Sequence, residues 1–397
     1  MSGTLPRTAD LVVVGAGAVG AACAYFAARA GLRVVVVDRG PVAGGTSSAG
    51  EGNLLLSDKE PGPELELALL SRRVWTDDLD EHGHHWEFES KGGLVVSDDD
   101  AGVRALAELA VHQRAAGIEA VPVTHDELPR YEPHLTRDLA GGMFYPQDAQ
   151  VQPMLLTAHL LRLARGLGAR VVTGSAVTGF LRQGDAVTGV RTSGGAISAP
   201  AVLNAAGTWS GEVATLAGVH LPVLPRRGFV LVTQPLPPLV RHKVYGASYV
   251  ADVASSDEAL QTSPVIEGTP SGTVLVGASR ERVGFDRTPS LPVLARLAAA
   301  AAAMFPVLRD ASLIRAYAGF RPYCPDHLPV VGPDPRAPGL WHACGHEGAG
   351  IGLSVGTGSL LAAVLTGRPP ELDLHPFRPE RFDTPLAAEP DQELARA

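Results

Sequence analysis

The sequence predicts an α/β fold in which a parallel, doubly wound sheet is joined to an α+β domain with a mostly antiparallel sheet. Three observations predict it. The chain opens with a strand, a glycine turn, a helix and a strand ending in an acid; residues 220–290 are proline-rich with short strand-like runs; and a second glycine-rich strand-to-helix turn follows at 340–352. In the first unit, Leu11 to Val14 leads into Gly15-Ala16-Gly17-Ala18-Val19-Gly20, and Val34 to Val37 ends at Asp38. Gly15 permits the tight turn, Gly17 lets a pyrophosphate approach the backbone, and Gly20 lets the helix pack closely on the strand. The phosphates then sit at a helix N-terminus, where unpaired N–H groups and the helix dipole favour an anion. Asp38 stands where a carboxylate accepts from a ribose hydroxyl and repels the additional phosphate of NADP. The unit reads as a Rossmann-type dinucleotide site, and by itself it leaves FAD and NAD open.

Composition narrows the rest. A chain of 397 residues exceeds what one hydrophobic core organises, so two domains are expected. The net charge of −9 offers no basic field to attract nucleic acid. Cys23, Cys324 and Cys344 form no CxxC pair, so no iron–sulfur or zinc site is signalled and a reducing cytoplasm fits. The apolar run from Leu11 to Val37 is broken by Arg29, Arg33 and its glycines, and reads as a buried βαβ unit rather than a signal peptide or a membrane span.

Further along, Arg39 to Leu56 carries Gly44-Gly45-Thr46-Ser47-Ser48 and Gly50-Glu51-Gly52-Asn53, suited to a loop that wraps a cofactor, although ordinary surface loops share the composition. Residues 64–81 have helical apolar spacing, and His82, His84 and His85 read as a solvated turn, with no metal expected. A strand at Gly93 to Ser97, a helix at about 101–116, a loop over 141–152 and a helix at about 153–167 follow. Then come Val171-Val172, Ala176 to Phe180, a hairpin of Ala186 to Thr192 with Ala196 to Ser198, and a strand, Ala201 to Asn204, that returns to the nucleotide sheet. Strands at Phe229 to Thr233, Val244 to Val250 and Thr273 to Gly277 predict the antiparallel sheet that walls a substrate cleft. An alanine-rich helix over 295–305 and a polar stretch from Arg378 complete the reading. The expected division puts 1–88, 145–218 and 312–378 in a discontinuous nucleotide-binding domain, 89–144 and 219–311 in the substrate domain, and 379–397 in a polar tail.

The chemistry is carried by the last third. Leu340 to Ala343 runs into Cys344-Gly345-His346-Glu347-Gly348-Ala349-Gly350-Ile351-Gly352 and a long apolar helix. A second set of free N–H groups at a positive helix end would stabilise the negative charge of a reduced isoalloxazine ring, a need that a nicotinamide does not have. The order of the glycine fingerprint with Asp38, Gly45-Thr46-Ser47, Asn204-Ala205-Ala206-Gly207-Thr208-Trp209-Ser210, Gly277-Ala278-Ser279-Arg280-Glu281, Gly319-Phe320-Arg321-Pro322 and Gly345-His346-Glu347-Gly348 resembles the FAD-dependent D-amino-acid oxidase family. Within it the chain is most similar to the glycine oxidase, sarcosine oxidase and amino-acid dehydrogenase branch, which includes flavin subunits of opine, proline and hydrogen-cyanide-forming complexes.

The resemblance implies FAD held by Gly15, Gly17, Ala18, Val19, Gly20, Asp38, Arg39, Gly45, Thr46, Ser47, Asn53, Leu54, Val177, Ala206, Gly207, Trp209, Gly319, Arg321, Gly345, His346, Glu347, Gly348, Gly350 and Ile351. It implies that Arg321 holds a substrate carboxylate, a role suited to a rigid, always-charged fork. Tyr245 or Tyr249 would fill the family's substrate-side tyrosine position, and His346 would shape the flavin pocket or serve as a base. Cys324, in Pro322-Tyr323-Cys324-Pro325, does not match the context of the cysteine that links covalent flavins, so non-covalent FAD is expected. The implied reaction is oxidation of a C–N bond beside a carboxylate by hydride transfer to flavin N5. Three readings follow: a free-standing oxidase using oxygen, a dehydrogenase subunit passing electrons to a partner protein or quinone, and a catalytically silent flavin-binding subunit. The chain would act as a homo-oligomer or within a hetero-oligomeric complex.

Overall fold

The computed structural model describes residues 5–254 and 256–383. Its six-stranded sheet runs in the order Val330–Pro333, Leu340–Cys344, Ala201–Asn204, Leu11–Val14, Val34–Val37, Arg170–Val172. All neighbours are parallel except the edge strand Val330–Pro333, which is antiparallel to Leu340–Cys344. Both faces are covered, so Leu11–Val14 and Val34–Val37 are apolar and buried throughout rather than alternating. Helix Ala18–Arg29 crosses over between these two strands. Its glycine and alanines admit the C-terminal helix Gly350–Leu365, in which a Cβ at Gly358 would lie 2.8 Å from the Ala22 carbonyl carbon. The segment Glu347–Leu365 is long and apolar enough to cross a bilayer, but half of it is buried within this fold.

The eight-stranded sheet is ordered Leu313–Tyr323, Leu224–Thr233, Val274–Arg280, Gln261–Gly268, Lys243–Gly246, Gly93–Ser97, Gly141–Tyr145, Val121–Thr124. It is antiparallel except where Lys243–Gly246 runs parallel to Gly93–Ser97. The α/β reading with a mostly antiparallel second sheet is therefore the observed architecture. Helix Leu291–Met304 covers one face, with Val293 and Leu297 buried against Phe229, Ile266 and Val276 in one apolar cluster.

Four local expectations change. The stretch 141–152 is not a loop: Gly141–Tyr145 is a strand paired on both sides, and Ala149–Gln150 pairs with Asn53–Leu54. Its glycines hid the alternation while permitting the approach, since a Cβ at Gly142 would lie 2.3 Å from Val95 O. Val244 to Val250 is a strand only through Gly246, and helix Ala247–Ala254 follows, because a short apolar run does not distinguish the two by periodicity. Leu313–Tyr323, expected on the nucleotide side of a boundary at 312, pairs along its length with Leu224–Thr233 in the eight-stranded sheet. Residues 379–382 do not begin a free tail: Phe382 is buried and Arg381 Nε donates to Asp326 at 2.6 Å, while residues 384–397 lie outside the described residues.

Beside the antiparallel edge of the nucleotide sheet, buried Asp334 accepts from Arg336 Nε and Nη2, both at 2.8 Å, and lies 3.0 Å from His342 Nε2. Burial raises its pKa, but the hydrogen bonds from Arg336 and His342 outweigh burial and hold the carboxyl well below the usual range. A depressed folded-state pKa contributes stability above the unfolded value near about 3.9 and loses it as pH falls below that. Asp334→Ala should destabilise the fold by about 3 kcal/mol at pH 7 in urea titrations. That deficit should shrink on moving to pH 3.

Candidate active site

The strand Leu11–Val14 lies between Val34–Val37 and Ala201–Asn204, both parallel to it, and its C-terminal end is where an open α/β sheet binds ligands. Gly15 takes φ +117° there, and its N–H donates to Val37 O at 2.8 Å. Asp38 closes the turn from the second strand: Oδ2 accepts from Ala16 N and Oδ1 from Gly40 N, each at 2.7 Å. Both oxygens keep lone pairs for ribose hydroxyls. Gly17 caps helix Ala18–Arg29 without a side-chain bond, while Ser47 Oγ accepts from Ala18 N at 2.9 Å. A Cβ at Gly17 would stand 3.1 Å from that Oγ, so a side chain there would intrude where a pyrophosphate must pass.

A cleft of about 490 Å³ extends from this turn along the sheet edge to the eight-stranded sheet. On one wall Trp209 lies between the Arg39 guanidinium, 4.4 Å from its ring centroid, and Phe285, stacked at 5.4 Å. At the far end two hydroxyls from separate nucleotide-side loops, Thr46 Oγ1 at 2.6 Å and Thr208 Oγ1 at 2.7 Å, both donate to Phe320 O. They fix the next residue, Arg321, whose Nη1 donates to Ser279 O at 2.8 Å. Burial, followed by repulsion from Arg280, lowers the Arg321 pKa to about 10, which leaves it charged at neutral pH. Arg280 itself stacks 4.5 Å over Tyr249. Glu347 is already engaged, within 2.9 Å of His327 Nδ1 and 3.8 Å of Arg226 Nη1, so it braces the second glycine turn.

Most of the expected cofactor residues line this cleft: Gly15, Gly17, Ala18, Val19, Asp38, Arg39, Gly45, Thr46, Ser47, Asn53, Val177, Ala206, Gly207, Trp209, Gly319, Arg321, His346, Glu347, Gly348, Gly350 and Ile351. Four expected site residues do not. Gly20 faces the strand, where a Cβ would lie 2.0 Å from Gly15 O, so it supports the turn by packing. Gly345 turns at φ +72° against Cys324 Sγ, and Leu54 lines a small adjoining cavity. Tyr245 is fully buried in a chain of hydrogen bonds in which its hydroxyl meets Ser57 Oγ, which in turn meets Asp148. The strand ends one residue later, and it is Tyr249, on the following helix, that reaches the cleft. Cys324 is buried and off the cleft, whereas Cys344 lines it with a thiol that burial pushes up to about 12.

His346 is buried with Nε2 3.0 Å from Thr357 Oγ1, and burial lowers its pKa to about 3. The neutral ring holds a proton weakly and its Nε2 is engaged by Thr357, so the geometry suits His346 to shaping the pocket rather than to proton abstraction. The pH profile of flavin reduction should keep the same inflections in His346→Gln as in the native chain; loss of an inflection near pH 6–7 would restore the base.

The histidine turn is more than a solvated loop. Helix Pro153–Gly166 packs on it and brings ring nitrogens of His82, His85 and His159 within 4.8 Å of one another. Arg162 Nη2 lies 2.8 Å from His159 Nε2, and burial, with His85 and Arg162 nearby, lowers the His159 pKa to about 4. Sequence reasoning passed over Glu51, which lines the cleft with a carboxylate oxygen that has no partner among the described residues, as is also true of the buried Asn53 Oδ1. Those leftover acceptors, the glycine cradle and the two helix N-termini fit an adenine dinucleotide bearing a flavin ring.

The fold and this cleft define a dinucleotide-dependent oxidoreductase. The chain belongs to the FAD dependent oxidoreductase family (DAO), whose model matches residues 10–364. It is 32% identical to hydrogen cyanide synthase subunit HcnC of Pseudomonas aeruginosa, covering 96% of this chain and 98% of that one. It is also 32% identical to glycine oxidase of the same organism, over 93% and 98% of the two chains. Among solved structures, glycine oxidase from Geobacillus kaustophilus superposes with a TM-score of 0.85 at 28% identity, over 94% of this chain and 99% of that one.

Proposed function

We propose that this protein oxidises the C–N bond of a carboxylate-bearing amine, such as an N-substituted glycine, an imino acid or a D-amino acid, using non-covalently held FAD. The observation that carries the reading is Arg321, a charged guanidinium fixed by its bond to Ser279 O where the cleft meets the eight-stranded sheet. A bidentate arginine orients a carboxylate and so points the adjoining carbon in one direction. When bound, FAD supplies the hydride acceptor for that carbon. Tyr249 lines the same cleft, its ring packed under the Arg280 guanidinium. His346 and Glu347 hold the second glycine turn, whose positive helix end would stabilise negative charge on the ring edge.

Anaerobic titration of the yellow protein with sarcosine, glycine, D-alanine, D-proline, trans-4-hydroxy-L-proline and octopine tests this reading. Bleaching of the flavin band by one of them supports it, and a flavoprotein that no carboxylate-bearing amine bleaches overturns it in favour of a silent flavin-binding subunit. The similarity to HcnC along nearly the whole chain favours a second reading, a dehydrogenase subunit within a heteromeric complex. Slow recolouring in air would support that subunit, and fast recolouring the free-standing oxidase.

A further inference from the structure

Glu51 is a buried carboxylate that the site as described leaves without a task. It is 9% exposed, lines the cleft, and its Oε1 has no hydrogen-bond partner among the described residues. The backbone on both sides is pinned: Tyr317 Oη donates to Gly50 O at 3.3 Å and Val151 N to Gly52 O at 2.9 Å. The carboxylate lies across Gly277, where a Cβ would meet Oε1 at 2.6 Å and Oε2 at 2.9 Å. Two residues along the same strand, Ser279 O receives Arg321 Nη1. A carboxylate and a guanidinium are thus set against the same strand, one at Gly277 and the other at Ser279, as the ammonium and carboxylate ends of an amino acid require.

The charges facing Glu51 are Lys243, Glu267, Arg321 and Arg280, with the Tyr317 hydroxyl beside them. Lys243 is committed to Glu267, to which its Nζ donates inside the sheet. Burial raises the Glu51 pKa, with Lys243, Arg321 and Arg280 pulling against it, a shift in the direction that makes the carboxylate a better proton acceptor.

We propose that Glu51 is the ammonium subsite of this cleft, accepting a hydrogen bond and then a proton from the protonated nitrogen of a substrate whose carboxylate Arg321 holds. The proposal rests on the amine-oxidising reading above. One N–H bond breaks, its proton passes to Glu51 Oε1, and its electron pair stays on nitrogen. There the pair can form the C=N bond as the neighbouring C–H bond gives up its hydride to FAD. The substrate class is a zwitterionic 2-amino or 2-imino acid; an amine without the carboxylate, or an acid without basic nitrogen, engages only one end.

The test uses the full FAD-loaded chain and two ligands of equal shape that cannot be oxidised, 2-aminoisobutyrate and pivalate, in which a methyl replaces the ammonium. Calorimetric binding should favour 2-aminoisobutyrate in the native chain. Glu51→Gln should weaken 2-aminoisobutyrate at least about tenfold while leaving pivalate within about twofold. Glu51→Asp should recover part of the preference. Arg321→Ala should weaken both ligands, and its failure to do so would remove the clamp without touching the ammonium subsite. A native chain with no preference between the two, or a Glu51→Gln variant that loses both equally or neither, overturns the proposal. In rapid mixing with whichever amino acid bleaches the flavin, Glu51→Gln should move the half-maximal pH of flavin reduction upward, toward the ionisation of the free ammonium.

Discussion

Arg321→Ala should raise KM for carboxylate substrates by about 30- to 800-fold, the equivalent of losing about 2–4 kcal/mol of charge-assisted bonding. The expectation follows from where the guanidinium is held. Its strand is tied to the nucleotide side through Phe320 O, and its Nη1 through Ser279 O, so the remaining N–H groups are presented to the cleft without further ordering cost. Truncation also leaves Glu51 without one of the cations that face it. Because Arg321 also lines the cofactor cleft, flavin content is measured in each variant and KM is compared on the loaded fraction. Arg321→Lys keeps the charge and loses the planar fork, so its KM should fall between the two. Steady-state kinetics on the substrate found by titration, with flavin absorbance as the loading control, decide the matter: native KM in the alanine variant would remove the clamp.

Gly15→Ala should abolish FAD retention and destabilise the fold by on the order of 3–5 kcal/mol. Two costs combine at this position. The backbone sits at φ +117°, where an L side chain is strained, and a Cβ would lie 2.3 Å from Ala205 O and 2.8 Å from its carbonyl carbon. Those are backbone atoms of the neighbouring loop and have nowhere to yield. Gly31→Ala is the control: it shares a positive φ, +93°, but nothing stands within 4 Å of its Cβ, so only the conformational cost of about 1 kcal/mol applies. Urea titration with flavin absorbance measures both variants, and equal losses in the two would show that the contact with Ala205 is not what makes Gly15 necessary.

How much of this was legible depends on how local each feature is. The dinucleotide turn was readable because a strand, three glycines, a helix and Asp38 lie within one βαβ unit, and each residue's task follows from geometry set by its immediate neighbours. The second glycine turn before helix Gly350–Leu365 was readable for the same reason. Arg321 was reached through family resemblance, and its partner Ser279 O comes from a strand whose pairing no local pattern specifies. Glu51 was lost between two glycines in a segment with loop composition; its significance arises only when Gly277, Lys243 and Arg321 arrive from distant parts of the chain.

The sequence by itself determined the fold class and the dinucleotide turn, because short-range backbone demands and apolar periodicity are written in neighbouring residues, while the flavin family followed from the resemblance of motifs spread along the chain. Only the tertiary structure decided which polar groups line the cleft. Tyr245 and Tyr249 are four residues apart and equally plausible on paper, but the strand stops at Gly246 and a helix begins at Ala247. That change of period sends Tyr245 into the Ser57–Asp148 network and Tyr249 to the cleft beneath Arg280. Burial and long-range pairing, which no single segment encodes, likewise made His346 a neutral support and left Glu51 an uncommitted carboxylate facing the arginine clamp.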